Sequence, residues 1–230
     1  RRATRARYDG GEISRRRGAL LMIFASPHAQ AELELVSHQR RAWLVRGWDA
    51  LFAQLDEHLA SLATMRQSPY FKSVADFASE AATWEERLGQ IQLILDAWID
   101  VQRRWVHLSA VFVGSADIRA QLPTEHARFA AASNEFQALV RRVVENPKVL
   151  ELLAIEHVGR QLERQTAILA KVQKALGEYL ERQRAAFPRF YFVGEDDLLE
   201  IVGNSKDPRR VAPHLPKMFA ALAALTIADA

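Results

Sequence analysis

From Ala31 onward the apolar residues recur at steps of three and four, the spacing that lines one face of an α-helix. Leu33, Val36, Trp43, Leu44, Gly47, Trp48, Leu51, Phe52, Leu55, Leu59 and Leu62 carry this pattern, with arginine, glutamine and acidic residues between them. They predict one amphipathic helix of about 30 residues that ends near Gln67, because Pro69 disfavours helix at Ser68. A second long helix is expected from Thr83, where Thr83-Trp-Glu-Glu86 has the form of a capping box. Along it Trp84, Ile91, Trp98, Trp105 and Phe112 stand seven apart, with Leu88, Leu95 and Gln102 between them. Such a stripe of large side chains can stack a ligand, but packing against a neighbouring helix is the commoner use, so the stripe is read as core.

Gly114-Ser115 ends that helix, and Leu122-Pro123 opens a third, with proline at a first-turn position where its missing N–H costs nothing. Phe129, Phe136, Leu139, Val140 and Val143 form its apolar face, and Asn146-Pro147 stops it. A fourth helix is predicted over Glu156 to Arg184, with Leu162, Leu169 and Leu176 seven apart, Val172 and Tyr179 between them, and Gln165 as a polar interruption of the seam. Phe187-Pro-Arg-Phe-Tyr-Phe-Val193 reads as a short strand or buried extended strip, because proline ends the preceding helix and aromatics favour extended backbone. A short helix follows with Asp196 or Asp197 as N-cap and Leu198, Leu199, Ile201 and Val202 inward, ending at Gly203-Asn204-Ser205. The stretch from Pro208 to Ala224 is a last weak helix interrupted by Pro213 and Pro216. The fold class expected is mainly α: an elongated stack of long-helix bundles with one short extended aromatic segment.

Composition narrows the chemistry. The 230 residues contain no cysteine, which excludes disulfides, thiolate metal sites and a thiol nucleophile. The net charge of +3 is unevenly placed: residues 1–30 hold Arg1, Arg2, Arg5, Arg7, Arg15, Arg16 and Arg17 against Asp9 and Glu12, while the rest of the chain is near neutral. That mixture argues against a nucleic-acid-binding face. Within the basic leader, Gly18 to Ala25 copies a signal-peptide core but is too short to span a bilayer. The leader is expected to be a disordered extension or a misassigned start, and the folded domain to begin at residue 31.

No Gly-x-x-x-x-Gly-Lys-Ser/Thr, Gly-x-Gly-x-x-Gly, Gly-x-Ser-x-Gly or His-Glu-x-x-His run is present. The histidines His28, His38, His58, His107, His126, His157 and His214 show no i, i+4 pairing and are read as surface or satisfied core residues. Glu195-Asp196-Asp197 could hold a hard cation beside His214, but helix capping explains the same residues, so no metal is expected. Arg103-Arg104 and Arg141-Arg142 are read as solvated helix faces. The residues alone thus define a helical bundle whose work is mechanical or binding.

Several stretches go further. Leu44-Val-Arg-Gly-Trp-Asp-Ala-Leu-Phe52, Ser68-Pro-Tyr-Phe-Lys72, Trp98-Ile-Asp-Val-Gln-Arg-Arg-Trp105, Gly114-Ser-Ala-Asp-Ile118, Leu122-Pro-Thr-Glu125, Ala175-Leu-Gly-Glu-Tyr-Leu-Glu-Arg182 and Phe187 to Ser205 resemble, in order, the linker region of cytoplasmic dynein heavy chains. The resemblance spans Ala31 to about Phe219 and leaves residues 1–30 out. Its signature positions here are Arg46, Gly47, Trp48, Trp84, Trp98, Gln102, Trp105, Leu122, Pro123, Phe187, Pro188, Arg189, Phe190, Tyr191 and Phe192.

The resemblance implies a lever arm that lies across a ring of AAA+ ATPase modules and bends as the ring cycles. Gly114-Ser115, Asn146-Pro147 and the strip from Phe187 to Gly194 are the candidate bending points. It implies no cofactor in this segment, with ATP and magnesium held by the AAA+ modules. The partners implied are that ring and, through other parts of the heavy chain, the intermediate and light intermediate chains and microtubules, with no nucleic acid and no membrane. A cytoplasmic place on the microtubule cytoskeleton follows. The competing readings are a non-catalytic scaffold or adaptor of spectrin-like type and, resting on the leader alone, a small exported binding protein.

Overall fold

The computed structural model describes residues 31–38, 42–67, 75–222 and 225; the expectations for residues 1–30 and for Ser68 to Lys72 lie outside them. The described residues fall into two compact units, one of them up to Leu95 with Val140–Val158, the other Asp96–Leu139 with the residues from Gly159 onward.

In the first unit the chain begins as a hairpin rather than a helix. Strands β1 (Glu34–His38) and β2 (Ala42–Arg46) pair antiparallel, with Val36 opposite Leu44 and Glu34 opposite Arg46. Two five-residue runs rich in valine, leucine and tryptophan suit strands. Their three- and four-residue steps continue by coincidence into the real helix, α1 (Trp48–Gln67), which ends where the sequence predicts. Gly47 makes the corner at φ +71°, a conformation glycine adopts freely, and its carbonyl accepts the first helical bond from the Leu51 N–H at 3.1 Å. A two-stranded hairpin needs further support. It comes from an antiparallel bridge between Glu32 and Lys148, where the Leu33 N–H donates to the Pro147 carbonyl at 2.7 Å and the Val149 N–H donates to Ala31 at 2.8 Å. Leu33 and Val45 are buried, as are Leu55 and Leu62 on α1.

Helix α2 (Ala75–Gly114) runs 40 residues and starts well before Thr83, so the capping box does not form. Thr83 is a helix-interior residue whose hydroxyl donates back to the Ser79 carbonyl at 2.9 Å. The helix ends at Gly114, as expected, and a separate short helix α3 (Ala116–Gln121) precedes α4 (Pro123–Glu145). A 3-10 turn over Val149–Ala154 leads to α5 (Val158–Ala186).

Within the second unit α2, α4 and α5 touch pairwise. Trp98, Trp105 and Phe112 of α2 meet Phe136 and Phe129 of α4; Arg164 of α5 pairs with Glu135 of α4 at 2.6 Å; and Arg104 of α2 donates to Gln173 of α5 at 2.9 Å. On α5, Leu162, Gln165, Leu169, Val172, Leu176 and Tyr179 are all buried, the alternation of three- and four-residue steps that defines a packing seam.

The strip after α5 is not extended. Pro188–Phe192 is a 3-10 turn, closed by the Phe190 N–H donating to Phe187 at 2.9 Å and the Val193 N–H donating to Phe190 at 3.2 Å. Proline at its first position presets the helical φ, and no strand among the described residues pairs with it. Helix α6 (Glu195–Gly203) has Gly194 as N-cap, so Asp196 and Asp197 lie inside the first turn, where carboxylates offset the helix dipole. Leu198, Leu199 and Ile201 are buried as predicted, and Val202 is half-buried. The last weak helix is three pieces: α7 (Pro208–Val211), a 3-10 turn (Ala212–His214) and α8 (Leu215–Met218).

Helix α3 packs on α6 at very close range. A Cβ on Gly203 would lie 2.0 Å from Ser115 Oγ and 2.8 Å from Ser115 Cβ, so only glycine permits the approach. Beside this point Ser205 donates to Asp117 at 3.2 Å.

Candidate functional site

The signature residues divide by fate. Trp98 is 1% exposed, edge-on to Phe136 at 5.8 Å, and Trp105 stands 5.7 Å from the same ring while its Nε1–H donates to Ser133 Oγ at 2.9 Å. Gln102 is buried one turn from each, and Phe112 stacks on Phe129 at 5.3 Å. Phe136 is thus the ring clasped between two tryptophans of one helix, a core of edge-on and tilted aromatic pairs. Trp84 is half-buried, with the Arg87 guanidinium 5.2 Å over its ring. Leu122 is buried and Pro123 begins α4 at the solvent side.

At the hairpin, Arg46 is exposed at the end of β2 opposite Glu34, and Gly47 lies so near Glu34 that a Cβ would meet its Oε2 at 3.0 Å. Trp48 is half-buried, with its ring 6.5 Å from Phe52.

The aromatic turn is the opposite of the tryptophan core. Phe187 is 39% exposed, Tyr191 57% and Phe192 74%. Phe187 and Phe190, three apart and therefore eclipsed in a 3-10 turn, meet edge-on at 4.9 Å. Tyr191 donates to Glu181 Oε1 at 2.6 Å, and this bond to a carboxylate pushes the phenol above its ordinary pKa. Arg189 lies over the Phe219 ring at 4.6 Å and donates to the Met218 carbonyl at 2.9 Å, so the turn is fastened to α8 while its rings face outward. Pro188 is exposed beside them.

The acidic stretch and His214 do meet, as Asp197, Glu200, His214 and Lys217. Among the described residues no group of three or more His, Asp or Glu side chains is placed to hold a metal ion, and no helix is long and apolar enough to cross a membrane. The chain also lacks a phosphate-cradling Gly-x-x-x-x-Gly-Lys-Ser/Thr loop. The acceptor that sequence reasoning missed is Ser133, a polar residue on the otherwise apolar side of α4. Its position one turn before Phe136 sets it beside Trp105, whereas the buried Trp98 Nε1–H finds no such acceptor.

These features define a class: a helical segment whose long α2 and α4 are joined by edge-on, tilted and stacked aromatic pairs. The chain belongs to the dynein heavy chain family, whose model described as "Dynein heavy chain, N-terminal region 2" matches residues 25–230. It is 54% identical over 198 residues, 86% of its length, to "Dynein heavy chain, cytoplasmic" of Dictyostelium discoideum, and 53% identical over 196 residues, 85% of its length, to the Drosophila melanogaster protein of the same name. To "Dynein axonemal heavy chain 17" of Mus musculus it is 38% identical over 195 residues, 84% of its length. The chain spans 4% of the length of each of these relatives.

Proposed function

We propose that this chain is a section of the mechanical linker of a cytoplasmic-class dynein heavy chain, a lever arm serving ATP-driven, minus-end-directed movement on microtubules in the whole protein. The observation that carries the reading is the clasp of Phe136 between Trp98 and Trp105 in a family member whose helix α2 runs 40 residues. A lever transmits force only if its helices neither slide nor melt, and interlocked aromatic rings oppose both. The higher identity to the cytoplasmic heavy chains than to the axonemal one supports the class, and family membership favours the motor over a spectrin-like scaffold. On this reading ATP and magnesium belong to the AAA+ modules, these residues hydrolyse nothing themselves, and their immediate partner is the ring of the same heavy chain. The intermediate and light intermediate chains and microtubules engage other parts, and the whole works in the cytoplasm on the microtubule cytoskeleton.

The test uses the full heavy chain with Phe136→Ala. Gliding velocity is expected to fall several-fold while basal ATP hydrolysis stays within about twofold, since a softened lever uncouples motion from the ATPase cycle. Unchanged velocity, or velocity and hydrolysis lost in equal measure, would overturn the lever reading.

A further inference from the structure

Helix α2 ends at Gly114 with no basic residue in its last turn, although its aligned peptide dipoles leave that end negative. The final carbonyls of a helix lack intrahelical donors and must find them elsewhere. Here the Ser115 N–H donates to the Val111 carbonyl at 3.2 Å, and Arg119 of α3 reaches back across the corner for the next two. Its Nη1 donates to the Phe112 carbonyl at 2.6 Å and to the Val113 carbonyl at 3.2 Å. Bonds from a charged donor are stronger than those between neutral groups, and the cation also offsets the helix dipole. We propose that Arg119 locks the corner between α2 and α3, so that Gly114-Ser115 is a fixed bend rather than a place where the chain flexes.

The surroundings of the corner agree with a lock. Gly114 does not take a left-handed φ, and a Cβ placed on it would meet nothing within 4 Å, so the break does not draw on the freedom of glycine. Helix α3 has only six residues, too few to hold itself, and must be held by its neighbours. Towards α6 it is held by packing: Ser115 presses on Gly203, Ile118 is fully buried beside the same glycine, and Asp117 accepts from Ser205 at 3.2 Å and faces Lys206 at 3.9 Å. Towards α2 it is tied by the Arg119 guanidinium. Flexing at Gly114-Ser115 would pull that group from both carbonyls at once. The lock is a property of the corner and stands apart from the lever reading; if the segment is a lever, α2 and α3 move in it as one stiff piece, and one of the three candidate bending points is closed.

The chain has no cysteine, so Arg103→Cys on α2 and Ala120→Cys on α3, both at exposed positions, give two unique spin-label sites in the 230-residue chain. With Arg119 intact, one narrow distance population is expected; a broad or divided one would overturn the lock. Arg119→Met is expected to broaden it and to lower amide-exchange protection of residues 115–119 about tenfold, the effect of losing charge-assisted hydrogen bonds. Protection from Leu162 to Leu176 on α5 should stay within about twofold in the same variant. An unchanged distribution and unchanged exchange in Arg119→Met, or an equal fall along α5, would overturn the assignment to Arg119. If that variant does not fold, the distance distribution of the chain with Arg119 intact still decides whether the corner is fixed.

Discussion

Two aromatic-rich stretches of the second unit meet opposite fates. Trp98, Trp105 and Phe112 are spaced by seven on α2 and all lie within 3% exposure, whereas Phe187, Tyr191 and Phe192 crowd into six consecutive residues and stay open to solvent. The difference is geometric. Rings at heptad spacing project from one side of a helix, so one facing helix covers them all. Rings packed into a 3-10 turn point in several directions, and only the eclipsed pair Phe187 and Phe190 cover each other. Spacing, more than residue type, decides whether an aromatic becomes core or surface.

That contrast can be broken most forcefully at Phe136. Phe136→Ala removes the ring held by both tryptophans and is expected to cost about 3–5 kcal/mol in chemical denaturation, the usual range for a buried phenylalanine. A cost near that of a surface change would mean that the clasp carries no load. The seam of α5 sharpens the point in the other direction, because Gln165 is fully buried with neither side-chain polar atom hydrogen-bonded. Gln165→Leu is expected to stabilise the chain by about 1 kcal/mol, read as a raised denaturation midpoint with an unchanged slope. A lowered midpoint would show that the amide is structurally required. At the aromatic turn Phe192→Ser should change stability by no more than about 0.5 kcal/mol while reducing the binding of a hydrophobic dye. Undiminished dye binding would place the sticky surface elsewhere.

Helix periodicity made α4, α5 and the ends of α1 and α2 legible, because each has a long apolar face bounded by glycine or proline. The hairpin was hidden, since Leu44, Gly47, Trp48 and Leu51 continue a three-and-four rhythm straight across the corner at Gly47. What distinguishes the strands is the cross-chain support from Pro147 and Val149, a contact over a hundred positions away that local pattern does not encode. Thr83 misled for a related reason: the capping-box letters are present, but the residues before them also favour helix, and the hydroxyl turns inward to Ser79. The turn at Pro188 to Phe192 misled because aromatics favour strands only where a partner strand exists. Of the signature positions, Trp98, Gln102 and Trp105 could be placed in the core from their spacing, whereas the outward Tyr191 and Phe192 could not.

The contact between Gly203 and Ser115 has a hereditary consequence. The constraint runs one way: any side chain gained at 203 collides with the serine, so a Gly203→Ala change requires a prior reduction at Ser115, whereas Ser115 can shrink while 203 stays glycine. Two sites 88 positions apart thus behave as one locus with an enforced order of substitution, Ser115 first and Gly203 second.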